Sequence, residues 1–165
     1  MTTVRAVDTA MGVGRIIVAV GAVIEDKGGS VLLVKHRPER KSFWQGRWIC
    51  PGGKLELGEE IREGILREVW EETRLDVELA QPLPPFERIV RSEDGTSLHV
   101  IYIDYKARMT GGVLRPGGDV GEARWTALGE MTLLLPDLHE DTAKLLRLAG
   151  VLPRESDTWW AETDR

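Results

Sequence analysis

Val and Ile dominate residues 16–24, and the run stops at the turn-forming cluster Glu25-Asp26-Lys27-Gly28-Gly29. Apolar positions resume at Val31, Leu32, Leu33 and Val34, within residues 30–35. Two buried strands joined by a tight turn explain that pattern. Residues 36–47 are polar and include Pro38, which predicts a long loop carrying Phe43 and Trp44. A short strand at Trp48 and Ile49 leads into Pro51-Gly52-Gly53. Residues 59–73 contain no proline and a single glycine, with Glu, Arg, Ile and Leu throughout, and predict a helix. A strand at 75–79 follows, then the prolines of 82–85, then a hairpin with arms 86–91 and 97–108 turning at Glu93-Asp94-Gly95. Leu98, Val100 and the apolar positions 101–103 predict that its second arm is buried mainly on both faces. Gly111-Gly112 and Pro116-Gly117-Gly118 bracket a further short strand. Residues 122–127 read as a strand and 137–149 as a helix stopped by Gly150. No segment repeats, so the expected organisation is one domain over 15–150, an N-terminal extension over 1–14, and a polar tail over 151–165.

Bulk properties narrow the class. A chain of 165 residues with 42% hydrophobic and 30% charged residues suits one globular domain with a sizeable core. The net charge of −5 speaks against a nucleic-acid polymer as partner, because such proteins carry a basic face. A small anionic substrate stays open, since a bound cation reverses the local sign of a site. Cys50 is the single cysteine, which excludes an intramolecular disulfide and suits a reducing compartment. The run at 16–24 falls short of the ~20 residues a membrane-crossing helix needs. No segment has the shape of a signal peptide. A cytoplasmic protein without a membrane partner is therefore expected.

The chemistry concentrates on the predicted helix. Glu68, Glu71 and Glu72 stand at i, i+3 and i+4, so their carboxylates share one face. Like charges at that spacing repel, and a hard divalent cation with oxygen preference relieves the repulsion. Gly64 lies one turn earlier on the same face and is expected to leave room for a metal-bound phosphate or a close backbone. Solvated surface charge accounts as well for Glu59, Glu60 and Glu63. For Arg67 and the three later glutamates it fails, because Ile61, Ile65 and Val69 form one apolar flank and Leu66 and Trp70 another. A helix gripped on both flanks turns its acidic stripe to a groove. Upstream, Pro51-Gly52-Gly53-Lys54 supplies a loop whose backbone can approach a ligand.

Residues 53–75, from Gly53 through Glu59 and Arg67-Glu68-x-x-Glu71-Glu72 to Leu75, closely resemble the 23-residue box of the Nudix hydrolases. Arg74 departs from that pattern, standing where the family usually has glycine. The resemblance implies an α/β fold, a Nudix-type α/β/α sandwich with a mixed, partly barrel-like sheet. It also implies hydrolysis of a phosphoanhydride bond, with Mg²⁺ as cofactor and Mn²⁺ as a substitute. By the same resemblance Glu68, Glu71 and Glu72 are the principal metal ligands, the backbone of Gly53 an additional one, and Glu59 a supporting or further ligand. Arg67 is expected to pair with Glu71 and hold it in position. The proton acceptor is either Glu68 or a loop carboxylate, with Asp119 and Glu122 as candidates, although a solvated turn is the better account of those two.

Substrate choice lies outside the box. Gly46-Arg47-Trp48, followed by Gly52-Gly53-Lys54, is most similar to the MutT-like branch, which acts on nucleoside triphosphates. Arg47, Gly52, Lys54 and Trp44 are the expected substrate contacts, with Trp44 or Phe43 stacking on a base. Asp137 has two readings, a base-reading carboxylate and the N-cap of the last helix in an Asp137-x-x-Glu140 box. Two alternatives accompany the triphosphate reading: an ADP-ribose pyrophosphatase, and a non-catalytic nucleotide-sensing module. The second fits poorly, because such modules usually lose box carboxylates and this chain keeps them. Adjacent Trp159 and Trp160 in a polar tail suggest a homodimer, or docking of the tail on its own domain.

Overall fold

The computed structural model describes residues 14–91, 93, 95 and 97–155. Asp94 of the hairpin turn, and Trp159 and Trp160, on which the dimer expectation rests, lie outside the described residues. The strands are β1 (Arg15–Glu25), β2 (Val31–His36), β3 (Gly52–Lys54), β4 (Leu75–Pro82), β5 (Phe86–Arg91), β6 (Ser97–Gly112) and β7 (Val120–Thr126). The helices are α1 (Ile61–Thr73), the short α2 (Leu128–Met131) and α3 (Glu140–Leu148), with a 3-10 turn at Leu135–Asp137.

One mixed sheet runs β4-β6-β1-β2-β7, with β3 added to β1 and β5 to β6. The long β6 lies parallel to β1 from Arg15↔Leu98 to Glu25↔Arg108. It pairs antiparallel with β5 over its first part and with β4 over its last. Side-chain alternation divides β1 between two layers. Val20, Ala22 and Ile24 join Ile65 and Val69 of α1 in one core, with Leu32, Leu75 and Ala107. Val23, Val31 and Leu33 join Leu145, Leu146 and Ala149 of α3 in the other. This is the expected α/β/α sandwich, and the alternation on β6 replaces the two-faced burial expected for that strand.

Several local expectations change. Residues 113–119 form no strand but a strap across the C-terminus of α1. Arg115 N–H donates to the Thr73 carbonyl at 2.9 Å and Gly117 N–H to that of Glu72 at 3.0 Å, satisfying carbonyls that a helix end leaves unpaired. Of the two apolar flanks of α1 only one is gripped. Leu66 and Trp70 stay 42% and 52% exposed, and the Arg74 guanidinium lies over the Trp70 ring at 4.2 Å. α3 begins at Glu140, with His139 as its N-cap accepting from Asp141 N–H at 3.2 Å, so Asp137 does not cap it. Gly64 makes room for the loop before α1, since a Cβ there would meet Leu55 Cδ1 at 2.8 Å and Glu59 Oε2 at 2.9 Å.

Arg74 takes the left-handed conformation at the end of α1 (φ 61°, ψ 21°), and its N–H still closes onto the Trp70 carbonyl. Its guanidinium partly offsets the strain through a hydrogen bond to the same carbonyl at 3.1 Å. Arg74→Ala keeps the strain and loses these contacts, whereas Arg74→Gly loses the contacts and relieves the strain. Urea melts are expected to place the glycine variant about 1 kcal/mol above the alanine variant; equal midpoints would show that the backbone there is unstrained.

Candidate active site

The site begins at a close pass between strands. β3 crosses β1 with Gly21 opposite Gly52 and Val20 opposite Gly53. That crossing brings the Gly-Gly turn onto the face of α1. A Cβ at Gly53 would overlap the Glu68 carboxylate, so the glutamate lies directly against the turn's backbone. Gly52 N–H donates to Glu72 Oε2 at 3.0 Å, tying the turn to the next glutamate one helical turn on.

Arg67 organises the remaining carboxylates. Its Nε lies 2.6 Å from Glu59 Oε1, its Nη1 2.8 Å from Glu68 Oε1, and its contact with Glu71 is longer, at 3.4 Å. Glu59, not Glu71, is therefore its principal partner, and the expected i, i+4 pair is the weaker one. The Arg67 guanidinium, helped by the Glu56 N–H, pushes the Glu59 carboxyl down to about 2. Glu68 moves the other way: burial is the largest influence and raises it against the pull of Arg67, and Glu71 and Glu59 add repulsion. Glu72 is 4% exposed. Burial first, then Glu68, Asp119 and Glu71, hold it well above the ordinary carboxyl range, against the pull of the Gly52 N–H.

Of these groups Glu68 and Glu72 line a cleft of about 680 Å³, and Glu59, Arg67 and Glu71 sit beside them outside its lining. Gly52, Gly53, Lys54 and Asp119 line it too, with Trp44, Phe86, Tyr102, Asp104 and Asp141. Trp44 is fixed by a relay: its Nε1–H donates to the Tyr102 hydroxyl at 3.0 Å, which donates to Asp141 Oδ2 at 2.6 Å. Arg88 Nε donates to the other Asp141 oxygen at 2.8 Å. Phe86 stacks on Tyr102 with centroids 4.6 Å apart, giving the cleft flat apolar walls.

Three of the sequence candidates fall elsewhere. Glu122 points out from β7 towards Lys35, with a side chain 63% exposed. Arg47 is exposed and donates to the Pro136 carbonyl. Asp137 is exposed in the 3-10 turn, and its carbonyl accepts from Trp48 N–H at 2.9 Å. None of the three lines the cleft. Asp119 does, held by Arg40 at 2.5 Å. Four buried polar residues of the cleft escaped the sequence reading: His36, Asp104, Asp141 and Thr142. His36 places Nδ1 2.9 Å from Ser42 Oγ and Nε2 4.0 Å from Glu72 Oε1, and burial lowers its pKa. Asp104 lies on the cleft floor. A charged residue set inside the apolar alternation of residues 100–105 is the sequence signal for it.

Among the described residues, no three His, Cys, Asp or Glu side chains already converge on one point as a metal cluster. The Arg67 guanidinium stands among Glu59, Glu68 and Glu71 and donates to all three. The donor set still fits a hard cation. Glu72 is buried with one N–H donor and repelled by its neighbours, and half-buried Glu68 stands beside it; a cation would supply the missing positive charge.

The structure is thus a mixed sheet between two helical layers, with a glycine turn set against a glutamate-rich helix beside a nucleotide-sized cleft. The NUDIX domain profile matches residues 15–149, and the chain belongs to that family. An ADP-ribose pyrophosphatase of Methanocaldococcus jannaschii is 33% identical over 79% of this chain and 70% of its own length. The nucleoside triphosphatase NudI of Escherichia coli is 29% identical, over 75% of this chain and 90% of its own. Among solved structures, the MutT NUDIX hydrolase of Burkholderia pseudomallei superposes with a TM-score of 0.66 at 27% identity, covering 81% of this chain and 98% of that one. The protein is thus a hydrolase acting on pyrophosphate bonds, of the MutT/ADP-ribose pyrophosphatase type, in a family whose members generally need a divalent metal.

The raised carboxyls give this site a pH signature. Protonated Glu68 and Glu72 favour the fold, so their contribution is complete below the ordinary carboxyl range and is lost as pH rises through their raised values. A divalent cation binds only the ionised forms. Saturation a hundredfold above Kd contributes about 2.7 kcal/mol, a rise on the order of 5–10 °C for a domain of this size. Thermal melts with and without Mg²⁺ are therefore expected to show a larger gain at pH 8 than at pH 5, and a smaller gain in Glu72→Gln. An equal gain at both pH values would remove these carboxylates from the metal site.

Proposed function

We propose that the protein is a Mg²⁺-dependent pyrophosphohydrolase of nucleoside triphosphates, releasing a nucleoside monophosphate and pyrophosphate. The observation that carries the reading is the charge layout of the cleft. Arg15, Arg40, Lys41 and Lys54 line it together with the carboxylate end, which suits a substrate with several phosphates. The aromatic walls at Trp44, Phe86 and Tyr102 suit a planar base.

Within this reading Glu68, Glu71, Glu72 and the backbone of Gly53 hold the Mg²⁺ ion, and Mn²⁺ substitutes for it. Bound there, the ion neutralises the phosphate oxygens and makes a water more acidic. Arg67 and Glu59 act as positioning residues, because the guanidinium bridges Glu59 to Glu68 and keeps the latter against the turn. Glu68 takes the proton from the attacking water, since burial raises its basicity and it meets the substrate end of the cleft. Asp119 is committed to Arg40 and Glu122 is remote, so neither displaces Glu68 in this role. Gly52 and Lys54 contact phosphate, and Trp44 the base.

ADP-ribose is the second reading. The 33% identity to the M. jannaschii ADP-ribose pyrophosphatase favours it, and the positions of Arg47 and Asp137 outside the cleft withdraw two residues that favoured a triphosphate.

Steady-state kinetics on the eight common ribo- and deoxyribonucleoside triphosphates and ADP-ribose separate the two. A triphosphate is expected to show the highest kcat/KM, with activity lost in chelator and restored by Mg²⁺ or Mn²⁺. ADP-ribose well above every triphosphate would transfer the assignment to the second reading. Glu71→Gln is expected nearly to abolish turnover, with the fold retained by circular dichroism, because it removes a ligand of the ion. Near-normal kcat in that variant would exclude Glu71 as a ligand.

A further inference from the structure

The edges of the sheet are not alike. β4 and β5 follow one another along the outer side of β6, and among the described residues no strand pairs beyond either. An open edge offers unpaired N–H and C=O groups to any strand that reaches it, and proteins commonly blunt such edges with bulges or prolines. β4 has both: its pairing slips twice, and it runs into Pro82, Pro84 and Pro85. β7, at the opposite edge, slips once against β2. β5 has neither device. Its six residues follow β6 in unbroken register, from Phe86↔Tyr102 to Arg91↔Ser97.

The two faces of β5 differ as well. Phe86 and Arg88 are committed to the domain, the first stacked on Tyr102 and the second bonded to Asp141. Glu87, Ile89 and Arg91 share the other face, as strand alternation requires, and all three are exposed. Ile89 is 51% exposed. Glu87 Oε2 meets His99 Nε2 at 2.6 Å, which leaves Oε1 for a second donor. Arg91 has no carboxylate partner among the described residues.

This face reads acid, apolar, base, with Glu87 and Arg91 equally spaced about Ile89. A two-fold axis through Ile89 therefore matches the strand to itself. Laid antiparallel along a second β5, it sets Ile89 opposite the second copy's Ile89, Glu87 opposite Arg91, and Arg91 opposite Glu87. Both cross-strand pairs are then of opposite charge, and each backbone edge satisfies the other.

We propose that the free edge of β5 is a self-association surface, on which a second copy of this chain adds its own β5 antiparallel about Ile89. The contact is isologous, so it closes at a dimer. It uses the side of β5 turned away from the cleft residues and stands independently of the substrate.

Sedimentation equilibrium on the full chain tests it. The wild type is expected at twice the 18.5 kDa chain mass. Glu87→Arg places two bases opposite each other across the axis, and Arg91→Glu places two acids there. Each alone is expected to be monomeric at the concentration that keeps the wild type dimeric. Mixed in equal amounts, the two are expected to return to twice the chain mass, because each carries the charges the other needs. The double substitution Glu87→Arg with Arg91→Glu is expected to dimerise by itself. Regain in the mixture also shows that both single variants are folded. Ile89→Lys leaves the ion pairs in place but sets two ammonium groups on the axis, and is expected to be monomeric. The proposal is overturned by a monomeric wild type, by single variants that associate as the wild type does, or by a mixture that stays monomeric. The first of these outcomes would leave the edge to a strand of another protein.

Discussion

The site depends on a spacing that only glycine permits. A Cβ at Gly52 would stand 2.5 Å from the Val20 carbonyl oxygen, and one at Gly21 2.7 Å from that of Pro51. Real Cβ atoms do not come so close, so any side chain at either position forces β3 away from β1. That displacement would take Gly53 with it and open the contact between the turn and Glu68. It would also pull the Gly52 N–H from Glu72, which is buried and holds that one N–H as its hydrogen-bonded partner. The crossing thus fixes two glutamates at once, from a pairing only three residues long.

Around that crossing the helix carries more negative charge than its own fold requires. Arg67 resolves part of the conflict by spanning Glu59 and Glu68, and the partition of effects follows from burial. Glu59, beside the guanidinium, becomes a stronger acid; Glu72, deeper and far from it, becomes a weaker one. A helix evolved for stability alone would spread these carboxylates apart or pair each with a cation. Here one arginine serves several, and the unbalanced charge faces a cleft. The 113–119 strap closes the other end of the helix and carries Asp119 towards Glu72, so the acidic field is assembled from three chain segments.

Much of this was legible in the sequence. Periodicity located β1, β2, α1 and α3 to within a few residues because each buries a continuous apolar face. The glutamate spacing marked the chemical face of α1 because i, i+3 and i+4 is a local geometric fact. What failed was information carried by the tertiary fold. Leu66 and Trp70 follow an apolar helical course, yet among the described residues no element covers that flank. Gly112 and Gly117 looked like strand boundaries, but the segment between them is spent on capping α1. Asp137 has the spacing of a capping box, and the chain turns two residues later, giving the role to His139. Arg47 and Asp137 looked like substrate contacts because their segments resemble the triphosphate branch; a hydrogen bond from Arg47 to the Pro136 carbonyl joins the two segments to each other, away from the cleft.

The residues that fill the rest of the cleft come from β5, β6, the 36–47 loop and α3, which are distant in sequence and converge only through the sheet. The parallel pairing of β1 with β6 does this, because it lays Tyr102 and Asp104 beside Ala19 and Gly21. The same pairing that places Gly21 against the Gly52 turn therefore places Asp104 against Gly21. One glycine is wedged between the phosphate-side turn and the carboxyl on the cleft floor, within van der Waals reach of both. A side chain at Gly21 would disturb both neighbours together. The turn and the cleft floor beside it are thus set by one register, so a change at the floor that leaves the turn in place has to be made on β6 and not on β1.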